Sequence, residues 1–173
     1  MRERYCALRN MMQRKAHASA ADLNAGDESQ RPICYLEGMV SRTSPKLEGR
    51  VLYIEDNATN ILLLQSWAER FQGFELLVAE TGEKGLLAYD RERPDAVIVD
   101  LYLPDMPGSE VLRQLRRLSD GRPVPIAVLT AHTSAEYVQE SIRGGAVAYW
   151  TKPVDLVRLE HDLSDLLMSR HGA

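Results

Sequence analysis

The sequence contains no long hydrophobic run, and this absence argues against a membrane span. Its longest uninterrupted aliphatic stretch is Ile61-Leu62-Leu63-Leu64, whereas a transmembrane helix needs roughly 20 apolar residues. The N-terminus opens with Met1-Arg2-Glu3-Arg4 and has no apolar block behind it, so no secretory signal is indicated. These observations predict a cytoplasmic protein.

Cysteine is also scarce, and acidic residues outnumber basic ones by 25 to 21. The two cysteines, Cys6 and Cys34, form no CxxC pair and have no histidine at a metal-ligand spacing, which argues against zinc and favours reduced thiols. The net charge is −4. Because nucleic-acid-binding domains are usually basic, no direct nucleic-acid partner is expected.

Charge and hydrophobic pattern divide the chain near residue 49. Residues 1–49 carry 8 Lys/Arg and 6 Asp/Glu, whereas residues 50–173 carry 13 and 19. The first part has no sustained apolar period, and the second alternates short apolar runs with helical periods. We therefore predict a flexible N-terminal tail or linker over 1–48 and one folded domain over 49–173.

The folded part contains five repeats of a short apolar strand followed by a helix. The strands are predicted at 51–54, 74–79, 96–99, 125–129 and 146–150. The helices are predicted at 60–70, 82–93, 110–118, from Thr133 with Glu136 at the capping-box spacing, and from Asp155 to about Met168. This succession predicts an α/β fold of the flavodoxin-like, doubly wound type. Its five-stranded parallel sheet has the order 2-1-3-4-5, and its five helices cover both faces.

Polar residues stand at the predicted carboxyl ends of these strands. Glu55 and Asp56 follow the first strand, Asp100 follows the third, Thr130 the fourth and Lys152 the fifth. Each has an ordinary explanation when taken alone, such as a helix cap, a turn or a solvated lysine. Ligands of doubly wound sheets bind beyond these strand ends. Their joint occurrence therefore predicts a site with three carboxylates, one hydroxyl and one ammonium.

At these positions the sequence resembles the receiver domains of bacterial response regulators, the CheY-like family of two-component signalling. The resemblance covers about residues 50–168 and depends on four motifs in matching order and interval. The motifs are Leu52-Tyr53-Ile54-Glu55-Asp56-Asn57, Asp100-Leu101-Tyr102-Leu103-Pro104-Asp105-Met106-Pro107-Gly108, Leu129-Thr130-Ala131 and Tyr149-Trp150-Thr151-Lys152-Pro153.

The acidic cluster predicts a magnesium site. Three crowded carboxylates repel one another, and a divalent cation removes that conflict. A site made of a few oxygen ligands, with coordination positions left for water and phosphate, suits Mg²⁺. We expect Asp56 and Asp100 as direct ligands and Glu55 as a ligand through water. The resemblance implies that the backbone carbonyl of Tyr102 completes the set.

With Mg²⁺ present, Asp100 is predicted to be a phosphoacceptor that forms an aspartyl phosphate. Lys152, the Thr130 hydroxyl and the backbone N–H of Ala131 are predicted to bind the phosphoryl oxygens. The resemblance implies that a histidine kinase or a histidine phosphotransfer domain is the donor. Such a chain is a signalling switch and not an enzyme, apart from slow autodephosphorylation.

The resemblance also implies how the signal leaves the site. Thr130 moves toward the phosphoryl group, and Tyr149 rotates into the space behind it. The fourth helix, fifth strand and fifth helix then present a surface to a downstream protein, and phosphorylation can drive homodimerisation. The peptide bond between Lys152 and Pro153 is expected to be cis.

Two further positions are expected to set the lifetime of the phosphoryl group. Tyr102 lies two residues after the phosphoacceptor, and its ring could obstruct the hydrolytic water. His132 lies two residues after Thr130 and contacts either the phosphate or the solvent. The bulk of Tyr102 predicts a lifetime of minutes rather than seconds.

Two other functions remain open from the sequence. A haloacid-dehalogenase-like phosphatase also uses a nucleophilic Asp, Mg²⁺, Thr and Lys, but it requires a second Asp where this chain has Tyr102. A pseudo-receiver would bind partners without phosphorylation. Within the receiver class, the segment from Glu55 to Asn60 is similar to receivers of hybrid kinases, which favours a phosphorelay role. The chain is then a stand-alone regulator, a relay intermediate or a receiver detached from a larger hybrid kinase.

Overall fold

The structure is a computed structural model that describes residues 47–119, 124–131 and 134–171. Within these ranges, five strands form one parallel sheet in the order β2-β1-β3-β4-β5, which confirms the predicted fold. The strands are β1 (Gly49–Ile54), β2 (Phe74–Ala79), β3 (Ala96–Val99), β4 (Ile126–Thr130) and β5 (Ala148–Thr151). The helices are α1 (Ala58–Ala68), α2 (Gly82–Glu92), α3 (Gly108–Leu118), α4 (Ala135–Arg143) and α5 (Leu156–His171).

Several element boundaries differ from the prediction because of local hydrogen bonding. Helix α1 begins two residues early, since the Asn57 side chain caps it by accepting the backbone N–H groups of Thr59 and Asn60. Strand β5 begins two residues late, because the Ala146 N–H still donates to the Ser141 carbonyl of α4.

The predicted start of α4 was wrong. The helix begins at Ala135 with Ser134 as its N-cap, and the Ser134 side chain makes no capping hydrogen bond. Thr133, to which the predicted capping box belongs, lies outside the described residues. The predicted cap of α5 is confirmed, since Asp155 Oδ1 accepts the N–H groups of Val157 and Arg158.

The central strands are buried because helices cover both faces of the sheet. Successive side chains of a strand point to opposite faces, so Leu52 and Ile54 face one layer and Tyr53 faces the other. Leu52 and Ile54 belong to a buried cluster that includes Val111, Leu112 and other residues of β3, β4 and α3. Among the helices that the structure describes, none combines the length and the apolar surface that a membrane span requires.

Backbone hydrogen bonds continue one residue beyond the ends of three strands. The Glu55 N–H donates to Ala79, the Asp100 N–H to Ile54 and the Lys152 N–H to Thr130, at 2.9, 3.0 and 2.8 Å. These bonds fix the main chain at the positions where polar side chains replace apolar ones. The sheet therefore holds Glu55, Asp100 and Lys152 at one edge.

Candidate functional site

Lys152 joins two buried carboxylates at this edge. Its Nζ lies 2.5 Å from Glu55 Oε2 and 2.6 Å from Asp100 Oδ2. The side chains of Lys152, Glu55 and Asp100 are only 16%, 1% and 9% exposed. The Lys152–Pro153 peptide bond is cis. Water screens this ion triad weakly, so the strength of the triad depends on its geometry and on the other hydrogen bonds of the carboxylates.

The Glu55 carboxylate accepts four hydrogen bonds. Besides Lys152, the hydroxyl of Tyr53 donates to Oε2 at 2.6 Å. The backbone N–H of Asn57 and the side-chain amide of Asn60 donate to Oε1 at 3.2 and 3.1 Å. Each oxygen therefore has two donors, which satisfies the hydrogen-bonding needs of this buried carboxylate.

Tyr53 and Asn60 are site residues that sequence reasoning missed. Tyr53 is fully buried, and burial, followed by its hydrogen bond to Glu55, raises the pKa of its hydroxyl far above the usual range. The hydroxyl therefore remains a donor at neutral pH. Its position two residues before Glu55 was the available signal, because residues i and i+2 of a strand share one face.

The acidic residues are suited to a divalent cation. Glu55, Asp56 and Asp100 each offer one carboxylate oxygen, and these oxygens lie within 4.8 Å of one another. An all-oxygen donor set fits Mg²⁺. Asp56 is exposed. Each Glu55 oxygen already accepts two hydrogen bonds, whereas Asp100 Oδ1 accepts only a long one among the described residues, from the Tyr102 N–H at 3.4 Å. The arrangement therefore favours Asp56 and Asp100 as direct ligands over Glu55.

The loop between β3 and α3 closes on itself next to Asp100. Tyr102 and Pro107 form an antiparallel bridge, and the Gly108 N–H donates to the Leu101 carbonyl at 2.8 Å. A Cβ at Gly108 would collide with the backbone of Asp100 and Leu101. Glycine is therefore required here by the close approach of two backbone segments, and the closed loop fixes the backbone of Tyr102.

Asp105 ties the far side of this loop to α2. Its carboxylate accepts the backbone N–H groups of Gly82 and Glu83, both at 2.9 Å. Partial burial opposes ionisation, but the hydrogen bonds from Glu83 and Gly82 prevail, and the pKa of Asp105 lies below its usual value of 3.8. The motif that begins at Asp100 did not predict this role of Asp105, because the hydrogen-bond partners of Asp105 come from a distant segment of the chain.

The predicted site residues of β4 and β5 lie close to the triad, since the Lys152 N–H donates to the Thr130 carbonyl. Thr130 is fully buried at the end of β4, and Ala131 follows it as an exposed residue. Tyr149 is partly buried and packs against the cluster that contains Leu52 and Ile54. Its pKa is raised by burial and then by the charge of Asp100. His132 lies outside the described residues.

Tyr102 connects the loop that follows Asp100 to α4. Its side chain is 49% exposed, and its hydroxyl lies 2.9 Å from the hydroxyl of Tyr137. This hydrogen bond, and then partial desolvation, raises the pKa of Tyr102. No sequence pattern indicated the contact, because the two tyrosines are 35 positions apart.

Comparison with known proteins identifies the family. The response regulator receiver domain model matches residues 51–164, so the chain belongs to that family, as the four motifs predicted. The sensory/regulatory protein RpfC of Xanthomonas campestris pv. campestris is 37% identical over 144 residues, which are 82% of this chain and 20% of RpfC. The chain thus spans about a fifth of that relative.

Solved receiver structures are similar in sequence and in fold. A CheY-like response regulator receiver domain protein from Methanospirillum hungatei is 30% identical, with a TM-score of 0.64 over 72% of this chain and 98% of that one. The receiver domain of the sensor histidine kinase PA1611 from Pseudomonas aeruginosa is 25% identical. Its TM-score is 0.64 over 70% of this chain and 99% of that one. That structure has a magnesium ion coordinated in its active-site cleft. The chain is thus a receiver domain of the signalling class.

Proposed function

We propose that this receiver domain accepts a phosphoryl group on Asp100 in a Mg²⁺-dependent reaction and then changes conformation to signal to a partner. The observation that carries the proposal is the position of Lys152, whose ammonium is shared between Asp100 Oδ2 and the buried Glu55. A cation beside a carboxylate at the carboxyl edge of a doubly wound sheet is suited to phosphoryl transfer.

Asp100 is the nucleophile of the proposed step. One of its carboxylate oxygens forms a bond to phosphorus, and the bond from phosphorus to the imidazole nitrogen of a phosphohistidine breaks. The electron pair of that bond stays with the imidazole, which takes a proton from solvent. The donor is a histidine kinase or a histidine phosphotransfer domain.

Charge neutralisation is divided among the residues around Asp100. Glu55, Asp56 and Asp100 carry three negative charges, which Lys152 and a divalent cation balance before the phosphoryl group arrives. Bound Mg²⁺ supplies charge stabilisation at a phosphoryl oxygen, and the carboxylates of Asp56 and Asp100 with the carbonyl of Tyr102 would hold it. Lys152 neutralises a second phosphoryl oxygen.

Thr130 and Ala131 serve the third oxygen through the Thr130 hydroxyl and the Ala131 N–H. The movement of Thr130 toward the phosphoryl group allows Tyr149 to turn inward, and α4, β5 and α5 form the surface that a downstream protein or a second phosphorylated copy contacts. Tyr102 and His132 set the lifetime of the phosphoryl group.

The proposal extends to the whole chain. The receiver comprises residues 49–173, and residues 1–48 precede it as a tail or linker. The chain acts in the cytoplasm as a stand-alone regulator or as a phosphorelay receiver. Similarity to a histidine kinase supports the second role: the sensor histidine kinase GacS of Pseudomonas protegens is 36% identical over 126 residues, which are 71% of this chain and 13% of GacS.

Intact-mass measurement after incubation with Mg²⁺ and acetyl phosphate tests the proposal. Wild-type protein is expected to gain one species heavier by roughly 80 Da, the mass of one phosphoryl group. Asp100→Asn and chelation of Mg²⁺ should each abolish it. Asp90→Asn is the matched control, since Asp90 is an exposed acid on α2, and it should behave as wild type. Uptake by Asp100→Asn, or none by wild type, would contradict the proposal.

A further inference from the structure

Two donors of different mobility share Glu55 Oε2. The Tyr53 hydroxyl reaches this oxygen at 2.6 Å from a ring that is fully buried. Lys152 reaches it at 2.5 Å from the end of a long side chain that also contacts Asp100. The phenol is therefore held in place by packing, whereas the ammonium can move within the site.

We propose that Tyr53 is a positioning residue, which keeps Glu55 Oε2 hydrogen-bonded while Lys152 shifts from Glu55 toward a phosphoryl group on Asp100. The inference rests on the proposed function, because it needs an incoming group that attracts Lys152. Tyr53 would thus assist the movement of the Lys152 ammonium, in addition to packing in the core.

The physical reason lies in the burial of Glu55. Its side chain is 1% exposed, so water cannot readily replace a donor that leaves. An acceptor that loses its only donor in a buried place carries a large desolvation penalty, whereas an acceptor with a second donor does not. Without the Tyr53 hydroxyl, Oε2 would have Lys152 alone among the donors in the described part of the chain. Glu55 would then retain Lys152 more strongly and oppose its shift toward the phosphoryl group.

The second oxygen of Glu55 provides an internal contrast. Oε1 accepts from the Asn57 backbone and from the Asn60 side chain, and neither donor contacts Asp100. Removing the Asn60 amide loosens the carboxylate but does not change how strongly Oε2 retains Lys152. Substitutions of Tyr53 and of Asn60 therefore distinguish a general loosening of the Glu55 carboxylate from a change in how strongly Glu55 retains Lys152.

Binding of the phosphoryl mimic beryllofluoride in the presence of Mg²⁺, measured by calorimetry on the full chain, tests the inference. Tyr53→Phe is expected to weaken beryllofluoride binding about tenfold, the effect of one unsatisfied buried acceptor. It should change the affinity for Mg²⁺ alone by less than about twofold, because Lys152 need not shift for the metal to bind. Asn60→Ala should affect beryllofluoride binding clearly less than Tyr53→Phe does.

Two controls guard against a general loss of structure. Tyr89→Phe removes the hydroxyl of another buried tyrosine, which belongs to the cluster on the opposite face of the sheet from Tyr53, and should leave both affinities unchanged. In a Glu55→Gln background the amide holds Lys152 only weakly, so adding Tyr53→Phe should have little further effect. In this background the Tyr53 substitution also leaves no charged acceptor at residue 55 without a donor.

The outcomes are separable. Equal weakening of beryllofluoride and of Mg²⁺ by Tyr53→Phe, no weakening at all, or an undiminished effect in the Glu55→Gln background would each overturn the inference. A wild-type protein that binds Mg²⁺ but neither beryllofluoride nor a phosphoryl group would instead overturn the proposed function, and the inference with it.

Discussion

The two ends of strand β1 both carry charged clusters, but the clusters differ in their contact with water. Near the start of the strand, Arg50 donates to the carboxylates of Glu75 and Glu92 at 2.8 and 2.9 Å, and its side chain is 41% exposed. Just past its end, Glu55 and Lys152 are 2.5 Å apart and nearly buried. The distances are similar, so the difference between the clusters is one of solvation.

Solvation decides what each cluster can do. Exposed ion pairs are screened by water and salt and contribute little to stability. The hydrogen bonds to Glu75 and Glu92 raise the pKa of Arg50, which keeps an already permanent cation charged. At the buried end, loss of one charge leaves its partner in a poorly solvated place. Loss of a charge should therefore matter more in the cluster at the carboxyl end of β1 than in the cluster at its start.

The largest effect is expected from Lys152→Met. Removing the cation leaves Glu55 and Asp100 close together without a counter-ion, which should cost about 3 kcal/mol of unfolding free energy without a divalent cation. Excess Mg²⁺ should restore part of the loss. Urea unfolding with and without Mg²⁺ measures both. Lys84→Met, at an exposed pair with Glu80, should have almost no effect, and equal losses in the two variants would break the contrast between buried and exposed charge.

Gly108→Ala should act on the same edge through the backbone. The new Cβ would force the closed loop away from Asp100, and overpacking of this kind costs about 2 kcal/mol. Phosphoryl uptake should fall together with stability. Gly144→Ala is the matched control, since Gly144 has an ordinary φ of −67° and a nearest neighbour 3.4 Å from the added Cβ. Urea unfolding and the mass assay report the two effects, and a stable, fully active Gly108→Ala would refute the prediction.

Asp105→Ala should have an intermediate effect that depends on pH. The substitution removes the acceptor for two N–H groups at the start of α2, which should cost about 1 kcal/mol at pH 7. Because the pKa of Asp105 is lowered in the folded state, its stabilisation is present above the ordinary value of 3.8. It disappears as the pH falls through the lowered value.

The difference in melting temperature between wild type and Asp105→Ala should therefore be smaller in acid, measured down to about pH 3, than at neutral pH. Glu80→Gln provides the control, because Glu80 is an exposed acid outside the loop. A gap between wild type and Asp105→Ala that stays constant with pH would mean that the carboxylate does not cap α2.

The smallest effect is expected from Arg50→Met. Its ion pairs with Glu75 and Glu92 are at most partly buried, so the shift in the urea midpoint should be small beside that of Lys152→Met and should shrink in high salt. A salt-insensitive loss as large as that of Lys152→Met would show that the amino-end cluster is not merely a solvated surface network.

The sequence by itself determined the class of fold and the location of the site. Short continuous apolar runs such as 96–99 are typical of strands covered on both faces, and their alternation with helical periods implies parallel strands joined by crossovers. The edge of the sheet that carries Glu55, Asp100 and Lys152 follows from this topology. Boundaries such as the start of α1 did not follow, because local hydrogen bonds such as the Asn57 cap set them.

Only the tertiary structure decided how the site residues are held. Three kinds of contact depend on side-chain directions or on distant segments. They are the hydrogen bond from Tyr53 to Glu55, the hydrogen bonds of Asp105 with the start of α2, and the contact between Tyr102 and Tyr137. Periodicity reports which face a residue occupies, but it does not report which atom lies beside it. The acidic residues and the lysine of the candidate site could therefore be found from the sequence. The groups that position them depend on packing in three dimensions.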